Sequence, residues 1–178
     1  MLRIILIYGA IAGVIVGAPM LWGMLTTDPN GPMPENGALV GYASMLVALT
    51  AVFLGVKQYR DKEKGGVIKF LPALGVGLGI SAVASLGWVI AWEISLAVTK
   101  FDFAAAYFGQ LIEQAQAEGA VEKVARLQGE QASFAEMYAN PLYRVPITFV
   151  EMFPLGAVIS LVTAGLLRNS RFLPARAA

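Results

Sequence analysis

Cysteine and histidine are both absent from the 178 residues of this chain. Without cysteine the chain forms no disulfide and supplies no thiolate. Without histidine it has no imidazole to bind a metal or to act as a general base near neutral pH. The sequence therefore excludes Cys- and His-based catalysis. We expect no metal site, no cofactor and no enzymatic activity.

Charged residues are scarce as well, at 14% of the chain, whereas 57% of the residues are apolar. Ordinary globular proteins have about 25% charged residues, so this composition is typical of an integral membrane protein. The 13 basic and 12 acidic residues leave a net charge of +1, which gives no reason to expect nucleic-acid binding. Membrane lipids are the partner that the composition indicates.

Four apolar stretches are long enough to cross a hydrocarbon core of about 30 Å as helices. They cover residues 4–25, 38–56, 70–98 and 145–167. The first stretch exceeds the apolar run of a typical signal peptide, and no Ala-x-Ala-like site follows it, so we expect a retained helix. The sequence thus predicts an all-α fold, an integral membrane four-helix bundle in a single domain.

Basic residues predict the orientation of the bundle. Four of the ten residues in the segment 57–66 (KQYRDKEKGG) are Lys or Arg, and such residues accumulate in short cytoplasmic loops. We interpret this segment as a polar cytoplasmic hairpin, which places both termini in the cytoplasm. The C-terminal Arg168, Arg171 and Arg176 agree with that orientation. The segment 26–37 has three prolines and no Lys or Arg, so we expect an external loop there.

Residues 100–144 are the one substantial polar region, with four basic and six acidic residues. Apolar residues recur at helical spacing on both sides of Gly119, which predicts two short amphipathic helices. The acidic balance suits the periplasmic side. We therefore expect an extramembrane helical hairpin between the third and fourth membrane helices, laid against the membrane surface or the mouth of the bundle.

Glu151 is the strongest candidate for a functional side chain, because a carboxylate within hydrocarbon costs about 3 kcal/mol or more and needs a partner or water. The partners that the sequence offers are Arg144, Lys100, Tyr143 and a protonated Glu93. Glu93 itself falls at headgroup level, since roughly 20 residues of the third helix fill the hydrocarbon before it.

Two interpretations of Glu151 stay open. In one it is a proton or cation site, whose pKa is raised by desolvation. In the other it makes a structural hydrogen bond to the backbone freed by Pro154 or to the external hairpin. The structural interpretation is favoured, because Glu151 is close enough to the interface to reach water.

Small residues at four-residue spacing predict close packing between helices, which lipid does not otherwise drive. The candidate packing positions are Gly9, Gly13 and Gly17 in the first helix, Gly75 and Gly79 in the third, and Gly156 and Ser160 in the fourth. Packing within one chain is favoured over a seam between two copies, because such stripes are common in membrane helices.

The order of several motifs resembles a known family. They are the second-helix end FLGVKQYRD at 53–61, the pair Gly65-Gly66, the turn YANP at 138–141, and the last helix with Glu151, Pro154 and Gly156. Together they resemble the bacterial membrane family known as domain of unknown function 4199, over nearly the whole chain. The resemblance implies a multi-pass, four-helix protein of the bacterial inner membrane, and it assigns no activity, ligand or catalytic residue.

Three functions remain as hypotheses. The first is a small non-enzymatic accessory protein that associates with itself or with another membrane protein through its glycine stripes and hairpin. The second is a small-solute or proton-coupled transporter that acts through Glu151. The third, an intramembrane enzyme, needs Glu93 and Glu151 as a carboxylate pair about 5–9 Å apart. A water-filled cavity that reaches Glu151 favours the transporter hypothesis, whereas a Glu151 side chain without contact to water favours the interaction protein.

Overall fold

The computed structural model describes residues 1–26 and 37–175, and every regular element in those ranges is a helix. The helices are α1 Leu2–Thr26, α2 Gly37–Gln58, α3 Phe70–Thr99, α4 Phe103–Ala117, α5 Val121–Ala139 and α6 Pro141–Leu167. The all-α prediction is confirmed. Most of the predicted external loop, residues 27–36, and Arg176 lie outside the described residues.

Four of these helices, α1, α2, α3 and α6, are long and apolar enough to cross a membrane. Around the bundle they follow the order α1, α3, α6, α2, and α3 makes its most extensive contacts with α1 and α6. Large aliphatic side chains such as Val14, Leu39 and Leu71 point outward and are exposed. An apolar exterior of this kind is suited to lipid as the solvent.

Helices α1 and α3 run parallel and approach closely through glycine. A Cβ atom on Gly87 would lie 2.8 Å from the Cα atom of Gly13, so neither position has room for a side chain. One turn away on each side, Gly9 faces Val83 and Gly17 faces Ala91. The predicted stripe of α1 therefore packs within the chain, against α3.

The pairing of α1 with α3 also explains why Gly75, a predicted packing position, has no partner residue on α1. Gly79 faces Ile5, but nothing lies within 4 Å of a Cβ atom placed on Gly75. One turn before Ile5, α1 has scarcely begun, because its first residue is Leu2. No helix of the described residues therefore faces the Cβ position of Gly75, and its assignment to the packing face was wrong.

Small residues bring α3 and α6 together. Gly77 accommodates Ser160, and Gly156 accommodates Ser81. The Oγ atoms of Ser81 and Ser160 lie 3.1 Å apart, so one hydroxyl can donate to the other. The carbonyls of Gly77 and Gly156 are the alternative acceptors for Ser81, at 3.0 Å, and for Ser160, at 2.7 Å. Both serines are fully buried. Hydrogen bonding between buried hydroxyls thus supplements van der Waals contact at this interface.

The polar region between α3 and α6 folds into a hairpin of α4 and α5. Asp102 caps α4 by accepting a hydrogen bond from the backbone N–H of Ala105 at 2.9 Å. Gly119 turns the chain with a φ of +68°, a conformation that favours glycine. Phe108, Ala115 and Leu127 form a small separate core between the two helices. We call the end of the bundle next to this hairpin the hairpin end.

The segment predicted as a polar loop is mostly helical. After α2, the π-helical turn Tyr59–Glu63 continues the helix. Arg60 within it is fully buried and donates to the carbonyls of Phe172, at 2.8 Å, and Leu173, and to the carboxylate of Asp61 at 2.7 Å. The reason is the segment after α6, whose carbonyls fold back over this end of the bundle and need donors, and a guanidinium supplies several. We call this end the basic end.

We expect Arg60→Met to lower the free energy of unfolding by about 3–5 kcal/mol, because it leaves buried acceptors without a donor. The matched control is Lys62→Met two residues away, where the side chain is exposed and the expected change is within about 0.5 kcal/mol. Chemical unfolding in detergent measures both. Equal stability of the two variants would contradict the role assigned to Arg60.

Candidate functional site

At the hairpin end, Glu93 of α3 and Arg144 of α6 form a bidentate ion pair. The Nε atom of Arg144 donates to Oε1 at 2.7 Å, and Nη2 donates to Oε2 at 2.6 Å. Each residue lies roughly 35 Å along its helix from the basic end, at 1.5 Å per residue. That distance exceeds the roughly 30 Å of a hydrocarbon core. Headgroup level therefore stays the predicted position of Glu93.

Tyr138 of α5 connects the hairpin to the bundle. Its hydroxyl accepts a hydrogen bond from Trp92 Nε1 at 2.8 Å, and its carbonyl accepts one from Arg144 Nη1 at 2.9 Å. Phe103 packs between the Tyr138 and Trp92 rings, with centroid distances of 5.4 and 5.7 Å. Burial raises the pKa of Tyr138, and the hydrogen bond from Trp92 acts in the opposite direction. The phenol therefore stays protonated at neutral pH.

Glu151 does not join this cluster. Its Oε2 atom accepts a hydrogen bond of 3.2 Å from Nε1 of Trp88, one turn before Trp92 on α3. Trp88 is only 7% exposed, whereas Glu151 lies on the exposed face of α6. The four partners predicted for Glu151 were wrong, since Arg144 is held by Glu93 and the actual partner is an indole.

The position of Glu151 along α6 is unusual for a carboxylate. It lies about 24 Å from Leu167 at 1.5 Å per residue, and Trp88 lies about 27 Å from Phe70. Both distances fall within a 30 Å core. Among residues 1–26 and 37–175, no Lys or Arg comes within 4 Å of Glu151. This carboxylate thus has one neutral donor and no countercharge.

Glu151 belongs to a regular row of exposed residues along α6. Alternating steps of four and three residues give Ile147, Glu151, Pro154, Val158, Leu161 and Gly165, which we call the α6 stripe. This is the a/d spacing at which two helices pack along their length. Among the residues that the structure describes, none comes within 4 Å of a Cβ atom placed on Gly165. The stripe is therefore unoccupied within one chain.

A groove of about 390 Å³ runs between α2 and α6 near the basic end. Its lining includes Leu46, Phe53 and Leu54 of α2 and Val158, Val162 and Leu166 of α6. We call it the α2/α6 groove. A second hollow, of about 350 Å³, lies where α5 meets α6 and includes Met137 and Tyr143 in its wall. Glu151 lines neither of them.

The carboxylates of this site engage separate partners. Glu93 is bound by Arg144 and Glu151 by Trp88, and they do not hydrogen-bond to each other. In the part of the chain that the structure describes, no three acidic side chains are grouped so that they could hold a metal ion. Structurally, the cluster ties α3, α4, α5 and α6 together at the hairpin end.

For the ion pair we expect a double-mutant cycle with Glu93→Gln and Arg144→Met to give a coupling energy of about 1–2 kcal/mol. The Arg144 side chain is 14% exposed, so solvent screens the pair only in part. The exposed pair Lys123–Glu118, with side chains 44% and 60% accessible, is the control. Its expected coupling is below about 0.5 kcal/mol. Chemical unfolding in detergent gives all the values, and equal couplings would contradict the account.

No curated protein and no solved structure matches the chain at a significant level. The model of one family, described as Protein of unknown function (DUF4199), matches residues 7–169. That range includes most of α1, the other three long helices and the hairpin between α3 and α6. It also contains the motifs from which the resemblance was inferred, so that prediction is confirmed. The chain belongs to the DUF4199 family.

Proposed function

We propose that this chain is a small, non-enzymatic accessory protein of the bacterial inner membrane, and that it associates laterally with a second copy of itself through the α6 stripe. The supporting observation is the environment of Glu151, an outward-facing carboxylate with one hydrogen bond from Trp88 and no countercharge. Facing lipid, such a group is unfavourable by about 3 kcal/mol or more. A protein contact over it removes that exposure.

A second copy fits this surface for geometric reasons. A two-fold axis along the membrane normal brings the same surface of both copies together, at equal depth. Glu151 of one copy then meets Glu151 of the other, and the second copy covers the side chain that lipid would otherwise contact. Gly165 permits close approach at the far end of the stripe. Gly9, Gly13 and Gly17 of α1 are unsuited to this role, because they already pack against α3.

The proposed orientation places both termini in the cytoplasm and the hairpin in the periplasm. Six exposed Lys and Arg side chains and the half-buried Lys57 support it, because they lie at the basic end or in the segment that leads into α3 from it. The hairpin region carries more acidic than basic residues. The positive-inside rule favours this arrangement, with the bundle as a multi-pass protein.

The transport alternative has less support from the same geometry. The helices meet through glycine and serine contacts that leave little interior space, and Glu151 faces outward. Fixed ion pairs hold Glu93 at the hairpin end and Asp61 at the basic end. A transported ion or solute would need a polar path between these ends.

The proposal predicts dimers in lipid that depend on the α6 stripe. We expect Glu151→Leu and Gly165→Leu each to weaken dimerisation by about tenfold, which corresponds to roughly 1.4 kcal/mol. Glu151→Gln should stay within about threefold of the unmodified chain, because an amide still hydrogen-bonds across the seam. Energy transfer between labelled copies in vesicles, at decreasing protein-to-lipid ratio, measures the effect.

The control for Gly165→Leu is Gly75→Leu, since both glycines face open space within the chain. Gly75 lies on α3, away from the stripe, so its variant should dimerise normally. A chain that stays monomeric at every protein-to-lipid ratio would contradict the proposal. So would equal effects of the two glycine substitutions.

A further inference from the structure

The basic end carries an excess of positive charge that the fold does not use. Asp61 is bound by Lys57 and Arg60, and Glu63 is bound by the N-terminal amine. Six further Lys and Arg side chains near this end are exposed and make no ion pair with the residues that the structure describes: Arg3, Lys62, Lys64, Lys69, Arg168 and Arg171. Clusters of this size next to a membrane attract anionic lipid, at about 1 kcal/mol per cation.

The α2/α6 groove leads toward this positive charge. Its wall on α2 extends from Leu46 to Leu54, about 12 Å at 1.5 Å per residue. Lys57 follows Phe53 by four residues and Leu54 by three, so it continues the groove face one turn further along α2. The groove wall is almost entirely aliphatic and aromatic, with Thr50 and Thr163 as its polar members.

Lys57 retains binding capacity despite its ion pair. Its ammonium lies 2.5 Å from Asp61 Oδ2, and the same carboxylate also accepts from Arg60. One carboxylate between two cations leaves this trio with a net charge of +1. Arg60 is fully buried, whereas the Lys57 side chain is 29% accessible. An ammonium has three donors, so Lys57 is the member of the trio that can reach a further anion.

We propose that the α2/α6 groove binds one acyl chain of an anionic phospholipid, with its headgroup phosphate at Lys57. The apolar groove accommodates the chain, the ammonium binds the phosphate, and the six unpaired cations favour an anionic over a zwitterionic lipid. The groove volume of about 390 Å³ is within the range of sites that bind small apolar molecules.

A second copy of the chain is a less suitable occupant of the groove. At 100° per residue, the α6 residues of the groove wall are centred about 100° around the helix from the α6 stripe. The two surfaces share Val158, and a dimer through the stripe leaves the rest of the groove wall on α6, which lies further around the helix, outside the seam. The lipid site and the dimer therefore overlap at one residue, and each has its own test.

The experiment is native mass spectrometry of the full chain released from detergent with dioleoyl phosphatidylglycerol or dioleoyl phosphatidylcholine added. These probes share their acyl chains and differ in headgroup charge. We expect one phosphatidylglycerol per chain to be retained, with a preference over phosphatidylcholine of about tenfold. Lys57→Gln should reduce that preference about fivefold, and Lys100→Gln, which removes the same charge at the exposed C-terminal end of α3 far from the basic end, should keep it within twofold.

A second pair of variants tests the groove itself. Val162→Trp fills the α2/α6 groove and should reduce retention of phosphatidylglycerol at least fivefold. Val14→Trp, on an exposed face of α1, should leave it unchanged. Equal retention of the two lipids, or equal effects within either pair of variants, would overturn the proposal. If a polypeptide copurifies with the unmodified chain and Val162→Trp removes it, the groove binds a protein. That result would also overturn the proposal.

Discussion

The close approach of α1 and α3 at Gly13 and Gly87 is the contact on which the rest of the bundle depends. Lipid provides no hydrophobic drive for helix association, so two membrane helices stay together only where their backbones pack closely. This contact makes α3 the central helix, because α6 then packs on its other side through Ser81 and Ser160. It also aligns the starts of α1 and α3, which brings the N-terminal amine within 2.8 Å of Glu63.

With the interior closed by small residues, the charged groups of the four long helices that the structure describes lie at the ends of the bundle and at one place on its side. Arg60 holds the segment after α6 at the basic end, and the pair of Glu93 and Arg144 holds the hairpin at the other. The two indoles of α3 reach across to different helices. Trp92 bonds to Tyr138 of the hairpin, and Trp88 bonds to Glu151, the one of these carboxylates with no countercharge.

Local patterns in the sequence predicted the parts of this structure that local physics determines. Run lengths predicted the four long helices, and the apolar spacing around Gly119 predicted the hairpin. Local patterns could not predict the partners of the charged residues, because these contacts join residues far apart in the sequence. Arg60 and Phe172 are separated by 112 positions, and Trp88 and Glu151 by 63. The burial of Arg60 had no local signal, since a basic, glycine-ended segment is also what an exposed loop contains.

Glycine spacing alone did not identify the helix that a stripe faces. Gly75 has the expected spacing from Gly79 but has no α1 residue opposite it. Gly87 belongs to the contact, but its spacing did not predict this.

The most direct test of the parallel pairing uses the absence of native cysteine. Gly17→Cys and Ala91→Cys are combined in one chain and oxidised in membranes, with Gly17→Cys and Gly75→Cys as the control pair. We expect a disulfide within one chain for the first pair only, because a Cβ atom on Gly17 lies 2.8 Å from that of Ala91, and a shift of about 1 Å between the helices gives the roughly 3.8 Å of a disulfide. Bridges only between chains, or equal bridging by the control pair, would contradict it.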